Sequence, residues 1–208
     1  NDTTASKPFI LSLKKLSLKH INLFYDDLKG GTSLKVINFN HKGKGDFSSE
    51  ILDYASSTNI EKISASQGLV TYLKDAAINL ESKLNIDQTQ HKYTFKENKL
   101  TLNKLGLLFN GFVQIPDSTK TIMDVSFNAA QTDFKSLLSL IPAVYAKDFK
   151  DITAAGILKL DGRMKGTMQG KSYPSFTLNL KVDNGKFQYP KLPSAVTDVF
   201  INAKINHE

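Results

Sequence analysis

The sequence predicts a mainly β protein: a large curved antiparallel sheet, sandwich-like or open along one side as an apolar groove, with a few short helices. Three observations carry that reading. Apolar and polar residues alternate with period two over most of the chain, the mark of strands with one buried and one wet face. Short clusters of Gly, Asn, Asp and Pro punctuate the alternating runs as turns do. Helical periodicity, in contrast, is sparse. The 208 residues contain no Pro- or Ser-rich linker, so one domain over 1–208 is expected.

The elements follow in order. Leu11-Ser-Leu-Lys-Lys-Leu-Ser-Leu-Lys interleaves lysine with leucine as the wet face of a strand does. Asp26-Asp27 followed by Leu-Lys-Gly-Gly reads as the start of a turn, with Lys29-Gly30-Gly31 at its tip. Asp46 to Ser56 and Gln67 to Lys74 are short helix candidates. Ala76, Ile78, Leu80, Leu84 and Ile86 then oppose Asn79, Glu81, Lys83, Asn85 and Asp87. Leu105, Leu107, Phe109, Val113 and Ile115 share another face, Pro116-Asp117-Ser118 turns the chain, and Met123, Val125 and Phe127 continue the pattern. Asp133 is placed to cap a helix over Phe134–Leu140, with Phe134, Leu137, Leu138 and Ile141 on one stripe and Pro142 ending it. From Leu158 the even positions read Leu158, Leu160, Gly162, Met164, Gly166 and Met168 against Lys159, Asp161, Arg163, Lys165, Thr167 and Gln169. Gly162, Gly166 and Gly170 are expected to let the sheet bend or another group approach the backbone. Phe176, Leu178, Leu180 and Val182 form the next strand, and Asp183-Asn184-Gly185 is a strong short-loop signal because Asn and Gly tolerate positive φ.

A degenerate repeat runs through these runs. Leu16, Leu18, Ile21, Leu23 and Tyr25 have the spacing of Leu100, Leu102, Leu105, Leu107 and Phe109, and of Leu180, Val182, Gly185, Phe187 and Tyr189. The two-residue break flips the faces of a strand unless a bulge or turn absorbs it. Repeating units are expected near 9–99, 100–175 and 176–208.

Composition narrows the function. With no cysteine, disulfide scaffolds, thiol catalysis and cysteine-held zinc are excluded. Lys+Arg is 27 against 20 acids, net +7, and the one arginine is Arg163. Such a surface suits anionic partners, but base readers favour the arginine fork, and the clear alternations place Phe109, Phe127 and Phe176 with the apolar set rather than among the lysines. Nucleic acid is therefore the weakest partner class. The best apolar run, Leu137 to Ala146, is broken by Ser139 and Pro142 and falls short of a membrane span. His20, His41, His91 and His207 stand apart from one another, with no neighbour at metal-ligand spacing. Lys42-Gly-Lys-Gly-Asp46 lacks the Walker pattern, and no Gly-x-Ser-x-Gly elbow occurs. A non-enzymatic protein without cofactor is expected.

Several segments carry a family resemblance. Leu100-Thr-Leu-Asn-Lys-Leu-Gly-Leu-Leu-Phe-Asn-Gly-Phe-Val and Asp133-Phe-Lys-Ser-Leu-Leu-Ser-Leu-Ile-Pro-Ala-Val-Tyr resemble the AsmA family of Bacteroidetes. Gly156-Ile-Leu-Lys-Leu-Asp-Gly-Arg-Met-Lys-Gly, Tyr173-Pro-Ser-Phe-Thr-Leu-Asn-Leu and Asn184-Gly-Lys-Phe-Gln-Tyr-Pro-Lys-Leu-Pro do so as well. The resemblance implies a periplasmic protein hung from the inner membrane by an N-terminal helix that this segment does not contain. It also implies a β-groove related to bridge-like lipid transfer proteins, with roles in outer-membrane assembly and phospholipid traffic.

What covers the apolar face then decides the function. A second sheet, closure into a barrel, or a bound apolar ligand each satisfies one-sided strands. The leading expectation is a conduit in which phospholipid acyl chains lie on Leu105, Leu107, Phe109, Leu158, Leu160, Met164, Met168, Phe176, Leu178 and Leu180, with lysine-rich outer strands favouring anionic headgroups. On that reading Leu160 lines an open wall that tolerates lysine. The competitors are a ligand-free scaffolding β-sandwich of the cell envelope and, weakest, a nucleic-acid-binding β domain.

Overall fold

A computed structural model of the chain describes residues 14–138, 152–170, 172–189 and 193–207. Among these residues ten strands follow one another: β1 (Lys15–Asp27), β2 (Thr32–Lys44), β3 (Ile51–Gln67), β4 (Val70–Asp87), β5 (Lys92–Leu102), β6 (Leu105–Asp117), β7 (Lys120–Asp133), β8 (Thr153–Gln169), β9 (Ser175–Gln188) and β10 (Val196–His207). One helix, α1 (Phe134–Leu138), lies between β7 and β8. Among the described strands spatial order equals chain order, every neighbouring pair is antiparallel, and β1 and β10 stand at the ends of that order. The result is a single open, curved sheet, neither a barrel nor, among the described residues, a sandwich.

Turn chemistry builds this meander. Asp27, Asp87 and Asp117 each end a strand and turn a carboxylate oxygen back to accept backbone N–H groups, from Lys29 and Gly30, from Thr89 and Gln90, and from Thr119. Asp133 does the same at the start of α1, accepting from Lys135 N at 3.1 Å, which is the expected cap. The remainder of the predicted helix stripe, Ser139 to Pro142, lies outside the described residues.

The face-flipping break is absorbed as expected, by two devices. Lys19-His20 and Asp183-Asn184 are bulges inside β1 and β9, whereas Asn103-Lys104 is the two-residue turn between β5 and β6; His20, Asn103 and Asn184 all have positive φ. Further bulges at Asn38, Asp75 and Glu97 keep the apolar residues of β2, β4 and β5 on the common face. Side chains on neighbouring strands satisfy the backbone N–H groups that the bulges free. Asn40 Oδ1 accepts from His20 N, Asn22 Oδ1 from Asn38 N, Ser64 Oγ from Asp75 N and Asn110 Oδ1 from Glu97 N.

Three expectations are corrected. Asp183-Asn184-Gly185 is not a hairpin; its positive φ at Asn184 (52°) serves a bulge, and β9 runs on to Gln188. The helix candidates at Asp46–Ser56 and Gln67–Lys74 are instead turns leading into β3 and β4. Hydroxyl side chains (Ser56, Thr58) occupy inward slots of β3, and Leu69 and Tyr72 point to solvent near the hairpin tip, so the alternation there is disguised.

Candidate functional site

Cross-strand register joins the inward residues into rows that traverse the sheet. Leu18 faces His41, which faces Thr58, then Leu80, Leu100 and Leu107. Farther along the strands, Tyr54 faces Leu84, then Phe95, Gly111, Val125, Met164, Phe176 and His207. Each row places side chains about 5 Å apart on one face. The inward face is thus continuous from strand to strand.

Its depth is not uniform. Leu158, Leu160 and Leu105 belong to a packed core with Ala129, Phe134, Ile152, Ala154 and Val182. Leu107, Leu178 and Leu180 are half-buried against that core. Phe109 is half-buried too, its ring edge-on to Phe95 with centroids 5.4 Å apart. Met164, Met168 and Phe176 are 42%, 41% and 37% exposed. The predicted lipid-contacting set therefore divides into a closed end beside α1 and an open end. Leu105, Leu158 and Leu160 pack against protein, and the expectation that Leu160 lines an open wall is corrected.

Glycines shape the surface between these ends. A Cβ on Gly162 would collide with the ring of Phe127, the residue opposite it, so the glycine admits that ring flat against the sheet. Gly43 admits Tyr54 in the same manner.

Sequence reasoning read Ala76, Leu84 and Ile86 as one apolar face but did not single out Val36, Leu52 and Tyr54, with which they form the other half. Val36, Leu52, Tyr54, Ala76 and Ile86 are buried, and Leu52, Tyr54 and Ile86 form a second cluster with Phe47, Leu84 and Tyr93 around them. Polar residues interrupt this half. His41 Nε2 and the Tyr54 hydroxyl are hydrogen-bonded at 2.7 Å, and His41 Nδ1 and Thr58 Oγ1 at 2.8 Å, within a stack of Phe39, His41 and Tyr54. Burial pushes the Tyr54 hydroxyl pKa up, so it stays neutral and serves as a hydrogen-bonding group. The signal that locates this half is the register itself, which no single strand reveals.

The opposite face is charged. Arg163 forms a fork on Asp124, with Nε and Nη2 donating to the two carboxylate oxygens at 2.8 and 2.7 Å. That pair, with Lys165 nearby, holds the Asp124 carboxyl below its usual range. Among the described residues no cluster of His, Asp or Glu is arranged to hold a metal ion, and no helix is long and apolar enough to cross a membrane. No protein-family model, curated protein or solved structure matches the chain.

Proposed function

We propose that this chain is a non-enzymatic segment of a cell-envelope protein whose apolar sheet face carries phospholipid acyl chains, in the manner of the periplasmic AsmA-like proteins that its sequence resembles. The observation that supports this is the exposure of Met164, Met168 and Phe176 on a face otherwise continuous with a closed core. The whole chain presents 14521 Å² to solvent, against about 9,700 Å² for a compact protein of this mass. The exposed apolar side chains of that wall call for a covering partner. Acyl chains fit because they are long and need no polar contacts, while their headgroups stay in water. Transfer on this reading is passive, with no covalent step and no cofactor.

The test is native mass spectrometry with lipid extraction on the 208-residue chain secreted to the periplasm of a bacterial host, beside a closed periplasmic domain as control. Stoichiometric phospholipid that is reduced in Met164→Lys/Phe176→Lys is the expected result. An empty, monodisperse protein would return the chain to the ligand-free scaffold reading.

A further inference from the structure

The sheet carries a second concavity, and it is built from a different chemistry. A cleft of about 800 Å³ crosses β1 to β6. Its lining follows the row Leu16, Gly43, Ser56 and Ser82, together with the residues immediately before and after each. Those flanking residues alternate with the apolar set, so their side chains project from the polar face, and the row itself forms the floor. Four of them are lysines, Lys15, Lys42, Lys44 and Lys83, and β5 adds Lys96 and Lys99 to the lining. Glu81 and Glu97 are the acids of the lining, leaving it four positive charges in excess (six minus two).

Two further observations point to a ligand. Among the described residues none of the six lysines is ion-paired. Lys15 and Lys44 even stand directly opposite each other across β1 and β2, a like-charge juxtaposition that destabilises a sheet unless a counter-charge relieves it.

We infer that this lysine cleft binds a compact phosphate polyanion, either a soluble phosphate compound or the phosphorylated headgroup of a lipid. The volume falls in the range of discrete ligand sites rather than of a flat membrane contact. Lysine ammoniums act as point charges and hold phosphate without the planar fork by which arginine reads carboxylates and bases. The site lies on the face opposite the apolar one and does not depend on acyl binding there.

The experiment uses calorimetry with inorganic pyrophosphate, and flotation with vesicles of phosphatidylcholine containing about one fifth phosphatidic acid. Both are run on the native chain, on a cleft variant (Lys42→Gln, Lys83→Gln, Lys99→Gln) and on a control of equal charge (Lys159→Gln, Lys186→Gln, Lys204→Gln), each checked for folding by circular dichroism. The expected result is binding that weakens with salt and falls at least about tenfold in the cleft variant but not in the control. Pyrophosphate binding identifies the soluble source, and vesicle binding alone identifies the headgroup. Equal losses in the two triple variants would reduce the effect to net charge and overturn the site, as would the absence of binding to both probes. Acyl-chain content, measured on the same samples, is expected to be unchanged in the cleft variant whether or not the apolar face holds lipid.

Discussion

Leu158 and Met164 project from the same face of β8, six residues apart, yet Leu158 is wholly buried while Met164 is 42% exposed. Leu158 faces Val182 within the core beside α1, and Met164 faces Phe176 where no described element covers the sheet. One strand thus contributes to a dry core and to an open apolar wall, and substitutions along it separate the two.

Leu160→Lys is expected to unfold or severely destabilise the protein, by several kcal/mol (about 3–5), because an ammonium among Leu105, Ala129 and Val182 has no partner. Met164→Lys is expected to cost less than about 1 kcal/mol, since its stem stays on the apolar wall while its ammonium reaches water. Denaturant unfolding of both variants checks the contrast, and co-purified phospholipid in Met164→Lys is expected to fall severalfold. Equal stability losses would place Met164 inside the core.

Gly111→Ala is expected to destabilise by roughly 2–4 kcal/mol. Its φ of +131° is a conformation that L side chains rarely adopt, and its Cβ would collide with the Asp124 carbonyl oxygen on β7. Gly106→Ala is the matched control: a Cβ there meets nothing within 4 Å, and its expected effect is below about 0.5 kcal/mol. Thermal unfolding of the pair is the measurement.

Acid should weaken the fold through a defined set of carboxylates. Hydrogen bonds from the hydroxyls of Ser48, Thr89 and Thr119 hold Asp46, Asp87 and Asp117 below their usual range, as the Arg163 fork does for Asp124. Because the folded-state values are depressed, the unfolded chain binds more protons as pH falls, so the stabilisation is present above the ordinary value near 3.9 and is lost as pH drops through the folded values. The melting temperature is expected to be flat from about pH 8 to 5 and to decline below about pH 4. Asp87→Asn/Asp117→Asn should flatten that decline, and an unchanged acid limb would remove these turns as its cause.

Small-angle scattering should give a radius of gyration well above the ~17 Å of a compact chain of this length. A compact value would mean that the sheet folds onto itself in solution and hides the open wall.

How much of this was legible beforehand differs along the chain. In β8 and β9 nearly every inward residue is aliphatic or aromatic, so alternation alone identified Leu158, Leu160, Leu178, Leu180 and Val182 as one face. In β2 and β3 the inward slots hold His41, Ser56 and Thr58, and local pattern read part of this stretch as helix. The repeated two-residue break announced that something must absorb a face flip, but not whether it was the bulge at His20 or the turn at Asn103, because both use positive φ at a polar residue.

The sequence by itself determined that the chain makes antiparallel strands with one apolar and one lysine-bearing face, because period-two alternation and turn residues act within a few positions of each other. Only the tertiary structure decided that the strands lie in chain order in one open sheet. It alone distinguished Leu158 from Met164 and gathered six unpaired lysines from β1, β2, β4 and β5 around one cleft. Burial and charge clustering depend on neighbours up to about 80 residues away, and residues that far apart leave no periodic trace in a single strand.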